Sequence, residues 1–207
     1  MNSQLKIIGL GLFLSVAIVF GAASLLSKME QRAVDPSLIV GDARLSTGSA
    51  EPRVTIVEFS DFQCPACRAS ESVIQEVLQE NSNDVRFVYR HFPLTSIHDH
   101  ALDAAKASEI AFSIGKFWEM HDLLFELQDE WATSNDIKAL FASYADRLGM
   151  DPGAFLNLWD ASEYEQQIRD DIRDGRTLGI SSTPTIFMNG RKVSADQLSQ
   201  AVTAELH

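Results

Sequence analysis

The only two cysteines of this 207-residue chain, Cys64 and Cys67, are separated by two residues. Residues 54–59 before them are apolar and rich in β-branched side chains, which is typical of a buried strand. After Arg68 the apolar spacing becomes helical, so Cys64 is predicted at a helix N-cap and Pro65 at the first helical position. Unpaired backbone N–H groups and the helix dipole favour a thiolate there, and cysteine pKa values at such sites fall from about 8.5 to roughly 3.5–7.5. The spacing therefore predicts a dithiol–disulfide redox site.

Two other interpretations of the cysteine pair stay open. A tetrahedral zinc site needs four ligands, and without a second cysteine pair His91, His98 and His100 would have to complete it. An inert structural disulfide is the other possibility, but such bridges usually lie in protected surroundings and an N-cap predicts exposure. The position between a strand and a helix favours the redox site, and no metal ligand is predicted.

A second informative segment lies near the C-terminus. Residues 185–188 are predicted as a strand, Asn189-Gly190 as a hairpin turn, and residues 191–193 as the returning strand. Pro184 cannot donate a hydrogen bond to a central ladder, so it must open the first of these strands or lie at an edge.

Together these segments resemble thioredoxin-fold oxidoreductases of the DsbA type. The resemblance rests on Cys-Pro-Ala-Cys at 64–67 and Thr-Pro-Thr-Ile-Phe-Met-Asn-Gly at 183–190, and it includes residues 89–94 and 115–125. It extends from about Arg53 to the C-terminus. It implies an α/β thioredoxin fold with an inserted helical subdomain, preceded here by an N-terminal hydrophobic helix.

The resemblance also implies roles for individual residues. Pro184 would be cis and pack beside the catalytic disulfide, and Thr183 would offer backbone groups to the bound substrate chain. Pro65 and Ala66 support the active site. Strongly oxidising members have histidine at the position of Ala66, so this departure affects how strong an oxidant the resemblance implies. Phe62 is expected beside the cysteines, in the core or in contact with substrate.

Glu58 is the candidate proton carrier. Strand alternation places it on the same face as Val54 and Ile56, so it is predicted to point into packed structure with a raised pKa. In the resembling enzymes the acid at this position moves protons for the second cysteine, here Cys67. The alternative is a surface glutamate on an edge strand.

The remaining polar residues near the motif carry no catalytic prediction. Asp61 is expected in a solvated loop, and Arg68 either stabilises a thiolate or is simply solvated. His98 and His100 are expected at the surface, whereas His91 is expected to approach the active-site face. His121 lies on an apolar helical stripe and is interpreted as a core histidine.

The N-terminal segment predicts export. Residues 7–27 carry no charge and are long enough to cross a bilayer, which needs about 20 residues. Residues 1–28 are therefore predicted to be a retained signal anchor, or alternatively a signal peptide cleaved near residues 21–23. The domain would face the periplasm or the outside of a bacterial cell, tethered as a single-pass membrane protein or secreted after cleavage. Residues 29–52 are predicted as a linker with a possible short strand.

Residues 53–207 are predicted to form one DsbA-like domain with a helical insertion at about 96–178. Ser96, Asp151-Pro152 and two capping boxes, at 162–165 and 194–197, are expected to start helices. The formal net charge of −12 argues against a nucleic-acid partner.

The predicted activity is thiol–disulfide exchange, most readily the donation of disulfides to exported proteins. The cysteines carry the electrons, so no bound cofactor is expected, and the resemblance implies reoxidation by a membrane oxidase of the DsbB type. One alternative is an extracytoplasmic reductase or isomerase that uses the same site. Another is a membrane-tethered binding or chaperone module without turnover.

Overall fold

The computed structural model describes residues 36–207. The predicted N-terminal hydrophobic helix and signal segment, residues 1–28, lie outside the described residues. Within 36–207, none of the helices has both the length and the apolar character needed to span a bilayer.

Five strands form one mixed sheet: β1 (Ser46–Gly48), β2 (Val54–Ser60), β3 (Val85–His91), β4 (Thr185–Met188) and β5 (Arg191–Val193). Their order is β1-β3-β2-β4-β5, and β2 runs parallel to β3 and antiparallel to β4. β2 is buried along most of its length because strands lie on both sides of it and helices pack against the sheet. The central strand therefore carries the residues that lead to the cysteines.

The predicted hairpin near the C-terminus is confirmed. β4 and β5 have the predicted bounds, and Asn189 and Gly190 between them have positive φ values of 47° and 79°. Such backbone angles suit the tight turns that match the twist of paired strands. Asn189 also fixes the hairpin to the central strand, because its side-chain oxygen accepts a hydrogen bond from the N–H of Thr55.

The predicted linker at 29–52 contains regular structure that belongs to the domain. Helix α1 (Pro36–Val40) and strand β1 lie within it, and β1 pairs antiparallel with β3. Ile39 and Leu45 are almost fully buried, so these two apolar side chains anchor a segment whose composition is otherwise typical of a loop. The linker assignment is therefore wrong for this part, and the possible short strand is present.

Eight further α-helices lie within the described residues. They are α2 (Pro65–Glu80), α3 (Ala101–Phe112), α4 (Phe117–Glu126), α5 (Gln128–Trp131), α6 (Ile137–Arg147), α7 (Pro152–Trp159), α8 (Ser162–Thr177) and α9 (Leu198–Leu206). Helices α2, α8 and α9 pack against β2 and β3, whereas α3 contacts α4, α6, α7 and α8. Helices α3 to α8 occupy the interval between β3 and β4, so the helical insertion lies close to its predicted position.

The predicted helix starts were only partly correct. Asp151 caps α7 by accepting a hydrogen bond from the N–H of Ala154. Ser96 starts no helix: it lies in a turn, and α3 begins only at Ala101. The N-cap of α8 is Ala161, one residue before the predicted capping box. Ser194 precedes a short 3₁₀ turn, and α9 starts only at Leu198.

A buried cation joins the sheet to the insertion. Arg90 on β3 donates from Nε to Asp171 Oδ1 at 2.6 Å and from Nη2 to Asp174 Oδ2 at 2.7 Å, and Nη1 donates to the carbonyl of Ile39. The second oxygen of Asp171 accepts the backbone N–H of His91. The arginine is only 4% exposed, so its charge depends on these partners.

We expect Arg90→Ala to lower the free energy of unfolding by about 3–5 kcal/mol, because it leaves Asp171 as an unpaired buried charge. Denaturant unfolding of the oxidised protein measures this loss. Arg173→Ala is the matched control, since Arg173 pairs with Asp170 and Asp174 at the exposed surface and its loss should change stability little. Equal losses in the two variants would contradict a structural role for the buried cation.

Candidate active site

The strand-to-helix junction has the predicted geometry. β2 ends at Ser60, a loop follows, and Cys64 is the N-cap of α2 with extended backbone angles of φ −77° and ψ 120°. Pro65 occupies the first helical position, where its missing N–H costs no helical hydrogen bond. Pro65 and Ala66 are exposed beside Cys64, and both cysteines are free thiols.

The two sulfur atoms have opposite surroundings. Cys64 retains 7% exposure at the end of the helix, whereas Cys67, one turn further, is fully buried. A hydrogen bond from the Cys67 thiol is the main cause that lowers the pKa of Cys64 to about 5, and backbone N–H groups of the first helical turn add to it. Burial, followed by the interaction with Cys64, raises the pKa of Cys67 far above its usual range. Cys64 is therefore the sulfur that ionises more readily, and Cys67 stays protonated unless a base takes its proton.

The loop before β4 closes the site from the other side. The Thr183–Pro184 peptide bond is cis, the isomer that the resemblance implied. Cys64 Sγ lies 3.5 Å from the carbonyl oxygen of Thr183, to which it donates while it is protonated, although 119 residues separate the two in sequence. Thr183 and Pro184 are both partly exposed, so a chain bound at Cys64 would lie against their backbone.

Glu58 is the buried acid beneath the site. It is fully buried on β2 and accepts a hydrogen bond from the Ser70 hydroxyl at 2.8 Å, while its second oxygen has no hydrogen-bond partner. Burial is the main cause that raises the pKa of Glu58 to about 8, against a smaller opposing effect of the Ser70 hydrogen bond. The prediction of an inward-facing carboxyl group is confirmed, and a surface position on an edge strand is wrong.

Two buried hydroxyl groups beside Cys67 were not identified as site residues in the sequence analysis. Ser60 Oγ and Tyr89 Oη are both buried without a hydrogen-bond partner, and Tyr89 pairs with Glu58 across the parallel strands. Burial, followed by the charges of Cys67 and Glu58, raises the pKa of Tyr89 well above its usual range, so its hydroxyl stays a proton donor. Alternation along β2 places Ser60 on the same side as Glu58, which was the one available signal.

Asp61 was predicted in a solvated loop, and this prediction is wrong. The residue is 1% exposed and accepts hydrogen bonds from the backbone N–H groups of Gln63 and Leu94 and from His98 Nδ1, the last at 2.8 Å. His98 is consequently a half-buried partner of this carboxylate and not a free surface residue. The backbone N–H of His100 donates to the side chain of Gln63, so the 94–100 turn is fixed to the active-site loop.

The helical insertion contributes Gln128, which sequence analysis missed. Its side-chain amide, 2% exposed, donates to the carbonyl oxygens of Phe62 at 2.6 Å and Cys64 at 3.2 Å. The first contact gives the Phe62 carbonyl a partner inside the protein, and the second adds to the backbone N–H groups of Cys67 and Arg68 that already bond the Cys64 carbonyl. No local sequence signal marks this glutamine, because its partners lie more than 60 residues away.

Three other candidate residues, Phe62, Arg68 and His91, lie in the core or at the solvated surface. Phe62 is fully buried and stacks on Tyr89 with ring centroids 5.0 Å apart, which favours the core over substrate contact. Arg68 pairs with the exposed Asp129 and is solvated. His91 is buried against Glu109 instead of reaching the active-site face.

The zinc interpretation of the cysteine pair requires further ligands grouped around it. Among residues 36–207, the histidine and acidic side chains grouped closely enough to hold a metal are Glu71, His121 and Asp122. Neither cysteine belongs to that group.

Comparison with known proteins places the chain in a family. The Thioredoxin_4 family, described as Thioredoxin, matches residues 42–206. This chain belongs to that family. BdbD from Bacillus subtilis, in its oxidised form, has 25% identity and a TM-score of 0.70 over 79% of this chain and 93% of its own. DsbA2 of Pseudomonas aeruginosa has 27% identity and a TM-score of 0.56 over 78% of this chain and 93% of its own.

The chain is thus a DsbA-like member of the thioredoxin superfamily, and it is similar to thiol–disulfide oxidoreductases in sequence and in fold. Among curated proteins it is 38% identical, over 161 residues, to "Na(+)/H(+) antiporter NhaA 1" of Salinispora arenicola. That match covers 76% of this chain and 24% of the antiporter, so the chain spans about a quarter of the length of the curated relatives it matches.

We expect the Cys64 thiolate of the reduced protein to titrate with a midpoint near pH 5. Alkylation rates and thiolate absorbance measured against pH report this midpoint. Cys67→Ser keeps a hydroxyl donor and should hold the midpoint well below that of a free cysteine, whereas Cys67→Ala removes the donor and should raise it. A wild-type midpoint near 8.5 would contradict the assignment of Cys64 as a stabilised thiolate.

Glu58→Gln should change how stability depends on pH. The folded pKa of Glu58, about 8, lies above the ordinary value of 4.5, so the folded state holds a proton that the unfolded chain has released. The free energy of unfolding should therefore fall by at most about 5 kcal/mol as the pH rises from about 4.5 to about 8. Above that pH it should level off. Glu58→Gln should remove this fall.

Denaturant unfolding of the oxidised protein at several pH values measures the effect, since oxidation excludes thiol titration. Glu76→Gln, at an exposed position of α2, is the control and should follow the wild type. Parallel pH profiles for wild type and Glu58→Gln would show that Glu58 has an ordinary pKa.

Proposed function

We propose that this protein donates disulfides to exported proteins outside the cytoplasm through its Cys64–Cys67 pair. The observation that carries the proposal is the low pKa of Cys64, about 5, beside a fully buried Cys67. A stabilised thiolate stabilises the reduced form of the pair, and a pair with a stable reduced form is a good oxidant. Donation is therefore the direction of exchange that this site favours.

The first step is attack by a substrate thiolate on the Cys64 sulfur of the oxidised pair. A bond forms between the substrate sulfur and Cys64, and the bond between Cys64 and Cys67 breaks. Cys67 leaves as a thiolate, which is unstable in its buried position, and takes a proton from the carboxyl group of Glu58. With a pKa of about 8, Glu58 is largely protonated at neutral pH and can supply that proton.

The second step releases oxidised substrate. A second thiolate of the substrate attacks the substrate sulfur of the mixed disulfide, and Cys64 leaves as a thiolate. Two substrate thiols have then lost two electrons to the cysteine pair. Because Cys64 is a stable thiolate, it is a good leaving group in this step. The two cysteines carry the electrons, so the reaction as proposed uses no bound cofactor.

Substrate binding is proposed at the exposed face around Cys64. Pro65 and Ala66 present little side-chain volume there, and the backbone of Thr183 and Pro184 lies across from them. An extended chain could pair with that backbone and present its cysteine to Cys64 without recognition of particular side chains. This arrangement suits many unrelated exported proteins as substrates.

Continued turnover requires reoxidation of the pair. We propose a membrane oxidase of the DsbB type as electron acceptor, and a periplasmic or outer-surface location reached through the N-terminal apolar segment. That segment would tether the domain or be cleaved after export. The negative net charge is consistent with a domain that does not bind nucleic acid.

The reduction potential of the full-length protein, equilibrated in glutathione buffers, tests the direction of exchange. We expect a two-electron transition between about −120 and −180 mV, the range of disulfide donors. A value near −270 mV would instead identify a reductase.

Cys64→Ser should abolish oxidation of a reduced test protein. If this variant still protected an unfolded client from aggregation, a binding or chaperone function would be supported.

A further inference from the structure

A buried histidine beneath an open groove between α2 and α4 is not explained by the redox site. The groove has a volume of about 590 Å³, and its walls include Glu71 on α2 and Asp122 and Glu126 on α4. His121, next to Asp122, is 1% exposed, and aromatic rings, among them Phe125 and Trp118, hold its imidazole in place. The ring therefore has one fixed orientation.

The hydrogen bonding of this imidazole leaves one nitrogen without a partner. Nδ1 lies 3.0 Å from Asp122 Oδ1 and donates its hydrogen to that carboxylate, so in the neutral imidazole Nε2 carries the lone pair. Nε2 faces Glu71 Oε2 at 3.6 Å, and both atoms are buried with no hydrogen-bond partner. Two buried acceptors that face each other are unfavourable unless a cation, a proton or a bridging water lies between them.

The separation of 3.6 Å is closer to the spacing of two ligands on one metal ion than to a direct hydrogen bond. A charged hydrogen bond between an imidazolium and a carboxylate is shorter, about 2.7–2.9 Å from nitrogen to oxygen. Zinc lies about 2.0–2.2 Å from both imidazole nitrogen and carboxylate oxygen, and a tetrahedral angle then separates the two ligand atoms by about 3.4 Å. The observed distance is close to that value.

We propose that Glu71 and His121 bind a divalent transition metal ion of the zinc type at this groove. His121 Nε2 and Glu71 Oε2 are the direct ligands, and Asp122 is a positioning residue that holds the imidazole through Nδ1, as carboxylates often do for metal-binding histidines. One donor atom from each of the three residues lies within 4.8 Å of the other two. Two protein ligands leave coordination positions that water would fill.

Such an ion would join two parts of the molecule. Glu71 belongs to the helix that begins at Cys64, and His121 belongs to the helical insertion. Because a ligand that binds only the folded state stabilises it, the ion should raise the unfolding temperature. This inference is independent of the direction in which the cysteine pair exchanges disulfides.

Titration of the oxidised full-length protein with Co²⁺, followed by competition with Zn²⁺, tests the proposal. Oxidation removes the thiols as metal ligands, and Co²⁺ reports its ligands by visible absorption. We expect one ion per chain, a weakening of at least about tenfold in Glu71→Gln, and about 10–100-fold in Asp122→Asn. Glu126→Gln is the matched control, since it removes the same charge from an exposed position on the wall of the groove.

The outcomes separate clearly. Saturable binding that weakens in Glu71→Gln and Asp122→Asn but not in Glu126→Gln supports the site, as does a metal-dependent rise in unfolding temperature that Glu71→Gln abolishes. The absence of saturable binding to the wild type overturns it. Equal affinities in wild type and Asp122→Asn also overturn it; this exposed substitution is informative even if Glu71→Gln fails to fold.

Discussion

Cys64 and Cys67 lie one helical turn apart, yet the fold surrounds their sulfur atoms with opposite environments. Cys64 is at the edge of solvent, where the Cys67 thiol and backbone N–H groups stabilise its negative charge. Cys67 lies in the interior, where burial and the nearby Glu58 oppose any charge. Proton and electron transfer in thiol–disulfide exchange depend on which sulfur is charged. The other features of the site therefore matter through their effect on the charges of Cys64 and Cys67.

The buried acid and its neighbours make the inner sulfur usable. In the proposed exchange a thiol that cannot ionise would be inert, and the pKa of Glu58, raised to about 8, suits this carboxyl group to exchange protons near neutral pH. The unpaired hydroxyl groups of Ser60 and Tyr89 keep this small volume polar within an otherwise apolar core. Unpaired buried groups of this kind lower stability, and here they coincide with the place where protons must move.

The helical insertion does more than cover the sheet. Gln128 holds the carbonyl groups of the active-site loop, and the 94–100 turn is fixed to Asp61 and Gln63 through hydrogen bonds. Arg90 joins β3 to α8 through Asp171 and Asp174. A loop with this many buried polar contacts has one well-defined conformation, which keeps the geometry at Cys64 constant. Asp61 was misjudged for the same reason: the residues that bury it come from a turn more than 30 residues away.

The sequence by itself determined the features that depend on neighbours along the chain. The cysteine spacing at a strand-to-helix change, proline at the first helical position and the Asn189-Gly190 turn follow from local backbone geometry, and alternation along β2 turned Glu58 inward. The family resemblance implied that Thr183 and Pro184 lie at the cysteines, whereas only the tertiary structure buried Asp61, supplied Gln128 and brought Glu71 to His121. The tertiary structure also made the supposed linker into an edge strand. Burial and charge at these positions are set by residues distant in sequence, which no local pattern specifies.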